Sequence, residues 1–142
     1  MRIYQAISAL LLCISCIAAG QNADSVKYIN LSPSEFQQLY QAEPNGFFVD
    51  IREGFEYKSS RIKGFINMPS SGNINNIIDG IDTNRPVFLY CTSNTRARRM
   101  AARFTDNGFT RVYCLEGGIR AWKNEGYPLD TKRVRKRDRQ NR

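Results

Sequence analysis

Short apolar runs alternate with amphipathic stretches along residues 28–130. Three of the runs, at residues 47–49, 87–90 and 112–115, are nearly free of polar side chains, which is typical of strands buried on both faces of a parallel sheet. The stretches between them have apolar side chains three and four residues apart, as in helices that pack on a sheet. The pattern predicts an α/β domain with a mostly parallel central sheet and helices on both faces.

Local signals mark where individual helices begin and end. Ser32 is a suitable N-cap, Pro33 suits the first helical position, and Glu35 completes a capping box. Gly108 can take the left-handed conformation that commonly ends a helix. A further helix is predicted over residues 74–81.

The chain of 142 residues is long enough for one domain with a buried core. Its first residues have the layout of a secretory signal peptide: Arg2, an uncharged apolar stretch, and small residues before Gln21. An uncleaved membrane anchor is the alternative, but the apolar stretch is shorter than the roughly 20 residues that span a bilayer. We predict a signal peptide at residues 1–20, a linker at 21–27, a domain at 28–130 and a basic disordered tail at 131–142.

The formal net charge of +8 comes mostly from the tail. Residues 131–142 contain seven Lys and Arg side chains against Asp138, whereas residues 21–130 contain 13 basic and 12 acidic side chains. We therefore predict no specific nucleic-acid partner. So dense a run of like charge stays disordered, and we interpret it as a solvated end. A weak contact with anionic membrane lipids is a second hypothesis.

Candidate chemistry lies where the run at residues 87–90 ends. Cys91 comes next, and short polar residues separate it from Arg96: Thr92, Ser93, Asn94 and Thr95. Backbone N–H groups of such a loop, the positive end of the following helix, and the Arg96 cation would all favour a Cys91 thiolate. Asn94 suits a positive φ, and small side chains leave the backbone open to an anion.

The chain contains no histidine, which rules out a Cys-His dyad and a histidine-ligated metal site. We expect neither a metal nor a cofactor. An ordinary buried cysteine at the end of a strand is the alternative for Cys91.

Four segments, in order along the chain, resemble the rhodanese (sulfurtransferase) family: residues 48–57, 61–69, 91–96 and 115–128. The resemblance covers almost all of the segment from Tyr28 to Asp130 and implies the rhodanese-like α/β fold. It implies that Cys91 takes a sulfane sulfur from a donor such as thiosulfate, holds it as a persulfide, and passes it to a thiophilic acceptor such as cyanide or a thiol. The six residues from Cys91 to Arg96 match sulfur transferases of the family, whereas related phosphatases and arsenate reductases have one more.

The resemblance is to small, exported single-domain members, such as periplasmic thiosulfate sulfurtransferases. It implies a bacterial periplasmic location, with lipid anchoring through Cys16 as the alternative. The expected partners are a small sulfur-containing anion and a thiol protein such as a thioredoxin-like reductant.

The chain departs from the family pattern at several positions. Thr92 stands where a basic residue is common, which removes a positive charge that would help to hold thiosulfate and opens the site to other donors. Asn94 and Ala97 replace a frequent glycine and a frequent serine, and Arg61 stands where histidine is usual.

Asp50 and Arg52 match the first family segment, and we interpret them as a buried charged pair that supports the sheet and the loop. A purely structural ion pair is an equal alternative. Cys114 ends the strand expected beside that of Cys91. We interpret Cys114 as a small core residue, and a resolving thiol that attacks the persulfide or forms a disulfide is the other hypothesis.

The leading prediction of function is therefore a sulfurtransferase. Two alternatives are a non-catalytic rhodanese module that binds sulfur or a partner, and a thiol redox protein that uses both Cys91 and Cys114.

Overall fold

The computed structural model describes residues 28–72 and 78–133. The predicted signal peptide and linker, the first half of the helix predicted over residues 74–81, and the tail from residue 134 onward lie outside the described residues. Within the described ranges, no helix is both long and apolar enough to cross a membrane.

The elements in chain order are β1 (Ile29–Leu31), α1 (Pro33–Ala42), β2 (Phe47–Asp50), α2 (Gly54–Ser59), β3 (Ile66–Asn67), β4 (Val87–Tyr90), α3 (Thr95–Asp106), β5 (Val112–Leu115) and α4 (Gly118–Asn124). The strands form one sheet in the order β1-β5-β4-β2-β3, and every pairing is parallel. The predicted α/β class is confirmed. Strand β4 lies in the middle of the sheet, so its C-terminal end is surrounded by the loops that follow the neighbouring strands.

The first helix begins as the local sequence predicts. The Ser32 side chain accepts the backbone N–H of Glu35, and the Glu35 carboxylate accepts the backbone N–H of Ser32 at 2.9 Å. Pro33 occupies the first turn, and Phe36 is fully buried on the sheet. This capping box sets the direction in which α1 leaves β1.

The side chains of β4 alternate between two cores. Val87 and Leu89 point into a core that also contains Cys91 and the small residues of α3. Phe88 and Tyr90 point to the other face, where they pack with aromatic residues of α1 and α4. Helices therefore cover both faces, and the alternation assigns the Cys91 side chain to the α3 face.

The end of α3 also follows the local sequence. Gly108 has φ +88°, and the backbone N–H of Phe109 donates to the Phe104 carbonyl at 3.2 Å. Phe109 packs against Phe104 in an edge-on ring contact. This turn leads the chain directly into β5.

Candidate active site

Cys91 directly follows the central strand, and 1% of its surface is exposed. Its carbonyl oxygen accepts the backbone N–H of Ile119 at 2.9 Å, and the Thr92 carbonyl accepts that of Arg120 at 3.3 Å. Both donors belong to the first turn of α4. The beginning of the cysteine loop, residues 91–96, is therefore attached to this helix.

Gly118 is the residue that permits this attachment. It has φ +62°, and a Cβ atom there would lie 2.4 Å from the Cys91 carbonyl oxygen and 2.7 Å from that of Thr92. Only glycine fits so close an approach of two backbones. Sequence reasoning placed this residue in a family-like segment but missed its contact with the loop.

The turn of the loop lies at Asn94, which has φ +90° and is the N-cap of α3. Its conformation is the one expected for this position. The Asn94 carbonyl accepts the backbone N–H of Arg98 at 3.0 Å, and its side-chain amide donates to Asn30. Since helix N–H groups of the first turn point away from the helix body, the positive end of α3 faces the loop that Cys91 begins.

Arg96 forms a closed set of contacts with Glu56 and Thr92. Its guanidinium donates to both carboxylate oxygens of Glu56, at 2.8 and 3.0 Å, and to the Thr92 hydroxyl at 2.8 Å. The Thr92 hydroxyl in turn donates to Glu56 at 2.6 Å. The pKa of Glu56 is lowered to about 2, mainly by the hydrogen bonds from Arg96 and further by Thr92.

This arrangement gives Arg96 a carboxylate partner that the sequence did not indicate. The sequence suggests a cation available to the sulfur anion, whereas the structure pairs that cation with a carboxylate. The pKa of Arg96 is raised mainly by Glu56 and to a smaller extent by Cys91, so the guanidinium is within electrostatic reach of both. Sequence reasoning missed Glu56, although it lies in the same family-like segment as Asp50.

The predicted pair of Asp50 and Arg52 is buried, but it lies on the opposite face from the Cys91 side chain. The Arg52 side chain donates to both Asp50 carboxylate oxygens, and Tyr90 donates its hydroxyl to Asp50 at 2.6 Å. The Tyr90 hydroxyl also accepts the backbone N–H of Ile62. Burial and the Asp50 charge raise the pKa of Tyr90, so it stays a donor. These contacts join β2, β4 and the segment after α2.

Cys114 is a free thiol with no exposed surface. Burial, and to a smaller extent the Cys91 charge, raises the pKa of Cys114 to about 12. In the sheet it pairs with Leu89, and Cys91 is two residues further along the chain, directly after β4. Strand spacing and rise then separate the two Cα atoms by about 8 Å, beyond the roughly 7 Å limit for a disulfide.

Metal-ligating side chains are not grouped in the described ranges: no three or more His, Cys, Asp or Glu residues there lie close enough together to hold an ion.

A family model described as "Rhodanese-like domain" matches residues 32–125. The chain belongs to the rhodanese-like domain family. The resemblance carried by the four segments is thereby confirmed, and the rhodanese-like domain accounts for all of the elements from α1 to α4.

Relatives of this rhodanese-like domain have several named activities. The chain is 27% identical over 107 residues to thiosulfate sulfurtransferase GlpE of Actinobacillus pleuropneumoniae serotype 7, and the match covers 75% of this chain and 97% of that protein. It is 32% identical over 126 residues to tRNA uridine(34) hydroxylase of Yersinia pestis, covering 80% of this chain but 35% of that protein. The solution structure of a polysulfide-sulfur transferase homodimer from Wolinella succinogenes is similar at a TM-score of 0.62 and 28% identity, covering 73% of this chain and 79% of that one.

Proposed function

We propose that this protein is a sulfurtransferase that moves a sulfane sulfur from a donor to a thiophilic acceptor through a persulfide on Cys91. The observation that carries the proposal is the position of Cys91: it directly follows the central parallel strand and begins the six-residue segment 91–96, whose last two residues open α3. Relatives named thiosulfate sulfurtransferase and polysulfide-sulfur transferase support the same reaction class.

The reaction has two displacement steps. The Cys91 thiolate attacks the outer sulfur of the donor, and the remainder of the donor leaves with the electron pair of the broken bond, as sulfite does from thiosulfate. Backbone N–H groups of the loop and the positive end of α3 stabilise the resulting persulfide anion. Cyanide or a thiolate then attacks the outer sulfur, which releases thiocyanate or a new persulfide and restores the Cys91 thiolate.

The small exposed fraction of Cys91 favours a reaction at a single terminal atom. A sulfane sulfur is the terminal heavy atom of its donor, so it can reach the Cys91 thiol at the beginning of the loop. Asp50 and Arg52 act in this proposal by supporting the ends of β2 and β4, since their contacts lie on the other face.

Mass spectrometry after treatment with sulfur donors tests the proposal. We expect a gain of about 32 Da, one sulfur atom, that is absent in Cys91→Ser and present in Cys114→Ser. Thiocyanate formation from cyanide then establishes turnover. A persulfide that forms without turnover would support a binding module, and an intramolecular disulfide with no persulfide from any donor would support a redox protein.

We also propose export and a thiol protein as the acceptor in the cell, on the basis of residues 1–20 and the persulfide chemistry. The test is the mass of the protein recovered from cell fractions. A mature chain that begins at Gln21 in the periplasm supports export, and a full-length chain in the cytoplasm contradicts it.

A further inference from the structure

The charge balance of the cysteine loop is set by a residue outside it. Between Cys91 and Arg96 the loop has one charged side chain, Arg96. Both of its terminal nitrogen atoms donate to the Glu56 carboxylate, at 2.8 and 3.0 Å. The Glu56 carboxylate therefore offsets the charge of the one side-chain cation in the loop.

The one hydroxyl next to the nucleophile is also engaged. Thr92 donates to Glu56 at 2.6 Å and accepts from Arg96 at 2.8 Å. Thr92 supplies no charge, and its hydroxyl proton already has an acceptor. Glu56 stays ionised over the whole working pH range because its pKa is lowered to about 2.

The other cations near the loop are more exposed. Arg120, whose backbone N–H donates to the Thr92 carbonyl, is exposed. Arg98 and Arg99 are also exposed and border a cavity of about 380 Å³ with Tyr28, Thr95 and Ala102. The Arg98 side chain donates to the Tyr28 hydroxyl at 3.1 Å. Charges in water are screened within about 8–10 Å at physiological salt, whereas about 80% of the Glu56 side chain and 70% of that of Arg96 are covered.

With the Cys91 thiolate formed, the three groups Cys91, Arg96 and Glu56 have a net charge of −1. Thiosulfate is a dianion, so these three groups repel it more strongly than a donor of lower charge. A thiol persulfide carries at most one negative charge on its sulfur atoms, and its protonated form, R–S–SH, has an uncharged outer sulfur.

Building on the proposed persulfide chemistry, we propose that Glu56 is a specificity-determining residue that directs the site toward thiol persulfides and away from thiosulfate. The Cys91 thiolate attacks the outer sulfur of R–S–SH, the S–S bond of the donor breaks, and the thiolate R–S⁻ leaves with its electron pair. The product is the Cys91 persulfide, with its proton carried over from the donor, and no other oxidant or reductant is required.

Single-turnover persulfidation of Cys91, followed by mass spectrometry, tests this with two donors: thiosulfate and cysteine persulfide made from cystine and sulfide. We expect the second-order rate constant for cysteine persulfide to exceed that for thiosulfate by at least about tenfold. This comparison of two donors uses the unmodified protein and so does not depend on the folding of a variant.

The Glu56→Gln variant removes the charge and keeps an acceptor for Arg96 and Thr92. We expect its thiosulfate rate constant to rise by about tenfold and its cysteine persulfide rate constant to change by less than about threefold. Glu125→Gln removes one negative charge from an exposed position at the end of α4 and is the matched control. It should leave both rate constants unchanged.

The outcomes separate this inference from the function on which it rests. If Cys91 gains sulfur from both donors at equal rates, or faster from thiosulfate, the sulfurtransferase proposal stands and the role of Glu56 is refuted. The same holds if Glu56→Gln does not raise the thiosulfate rate. If Cys91 gains no sulfur from either donor, both proposals fail.

Discussion

Replacing Gly118 with alanine tests how α4 positions the cysteine loop. A Cβ atom at this position would lie 2.4 Å from the Cys91 carbonyl oxygen and 2.7 Å from the Thr92 carbonyl group. Contacts under 3.0 Å do not occur between real Cβ atoms and their neighbours, so helix and loop must move apart by at least about 0.6 Å. The neighbouring atoms belong to the backbone and cannot rotate away.

Two costs follow from this substitution. A non-glycine residue in the left-handed region costs about 1–2 kcal/mol, and overpacking typically costs about 1–3 kcal/mol. We expect the free energy of unfolding, from urea titration, to fall by about 2–5 kcal/mol. Because a misplacement of 1 Å can cost about 100-fold in rate, the persulfidation rate of the folded protein should fall by about 10- to 100-fold.

Gly64→Ala is the matched control. Gly64 also has a positive φ, +89°, but a Cβ atom there would have no neighbour within 4 Å. We expect this variant to lose about 1–2 kcal/mol of stability through backbone strain alone and to keep the wild-type persulfidation rate. If Gly118→Ala matched Gly64→Ala in both measurements, the close approach would not position Cys91 and the reasoning would be wrong.

Three further outcomes are expected. Tyr90→Phe leaves the buried N–H of Ile62 without an acceptor and removes a donor from Asp50, so urea titration should show a loss of about 1–3 kcal/mol; a change under about 0.5 kcal/mol would contradict this. Mild oxidation should produce no intramolecular disulfide at Cys114 by non-reducing peptide mapping, because the Cα separation is too large. The folded-state pKa of Glu56, about 2, lies below its ordinary value of 4.5. Its ionised form therefore stabilises the protein fully above pH 4.5, and this stabilisation is lost as the pH falls toward 2. The urea midpoints of wild type and Glu56→Gln should converge over that range, and a constant difference would argue against the ion pair.

Features set by neighbours along the chain could be predicted from the sequence. The capping box of Ser32 and Glu35, the positive φ of Asn94, and the left-handed end of α3 at Gly108 each depend on residues within a few positions of one another. The apolar runs likewise identified the strands, since continuous burial in a parallel sheet requires them. The position of Cys91 at the end of the central strand follows from those runs.

Features that join distant parts of the chain depended on strand order and register. Glu56 meets Thr92 and Arg96 across 36 and 40 residues, and no local pattern encodes that meeting. The pleat of β4 puts Tyr90 and Cys91 on opposite faces, which separates the Asp50 network from the nucleophile.

The identity of the nucleophile and its loop was thus present in the chain as a linear pattern, because both are continuous segments. The charge around that nucleophile and the glycine that holds its carbonyl were decided by the fold, because α2 and α4 reach the end of β4 only when the parallel sheet has assembled.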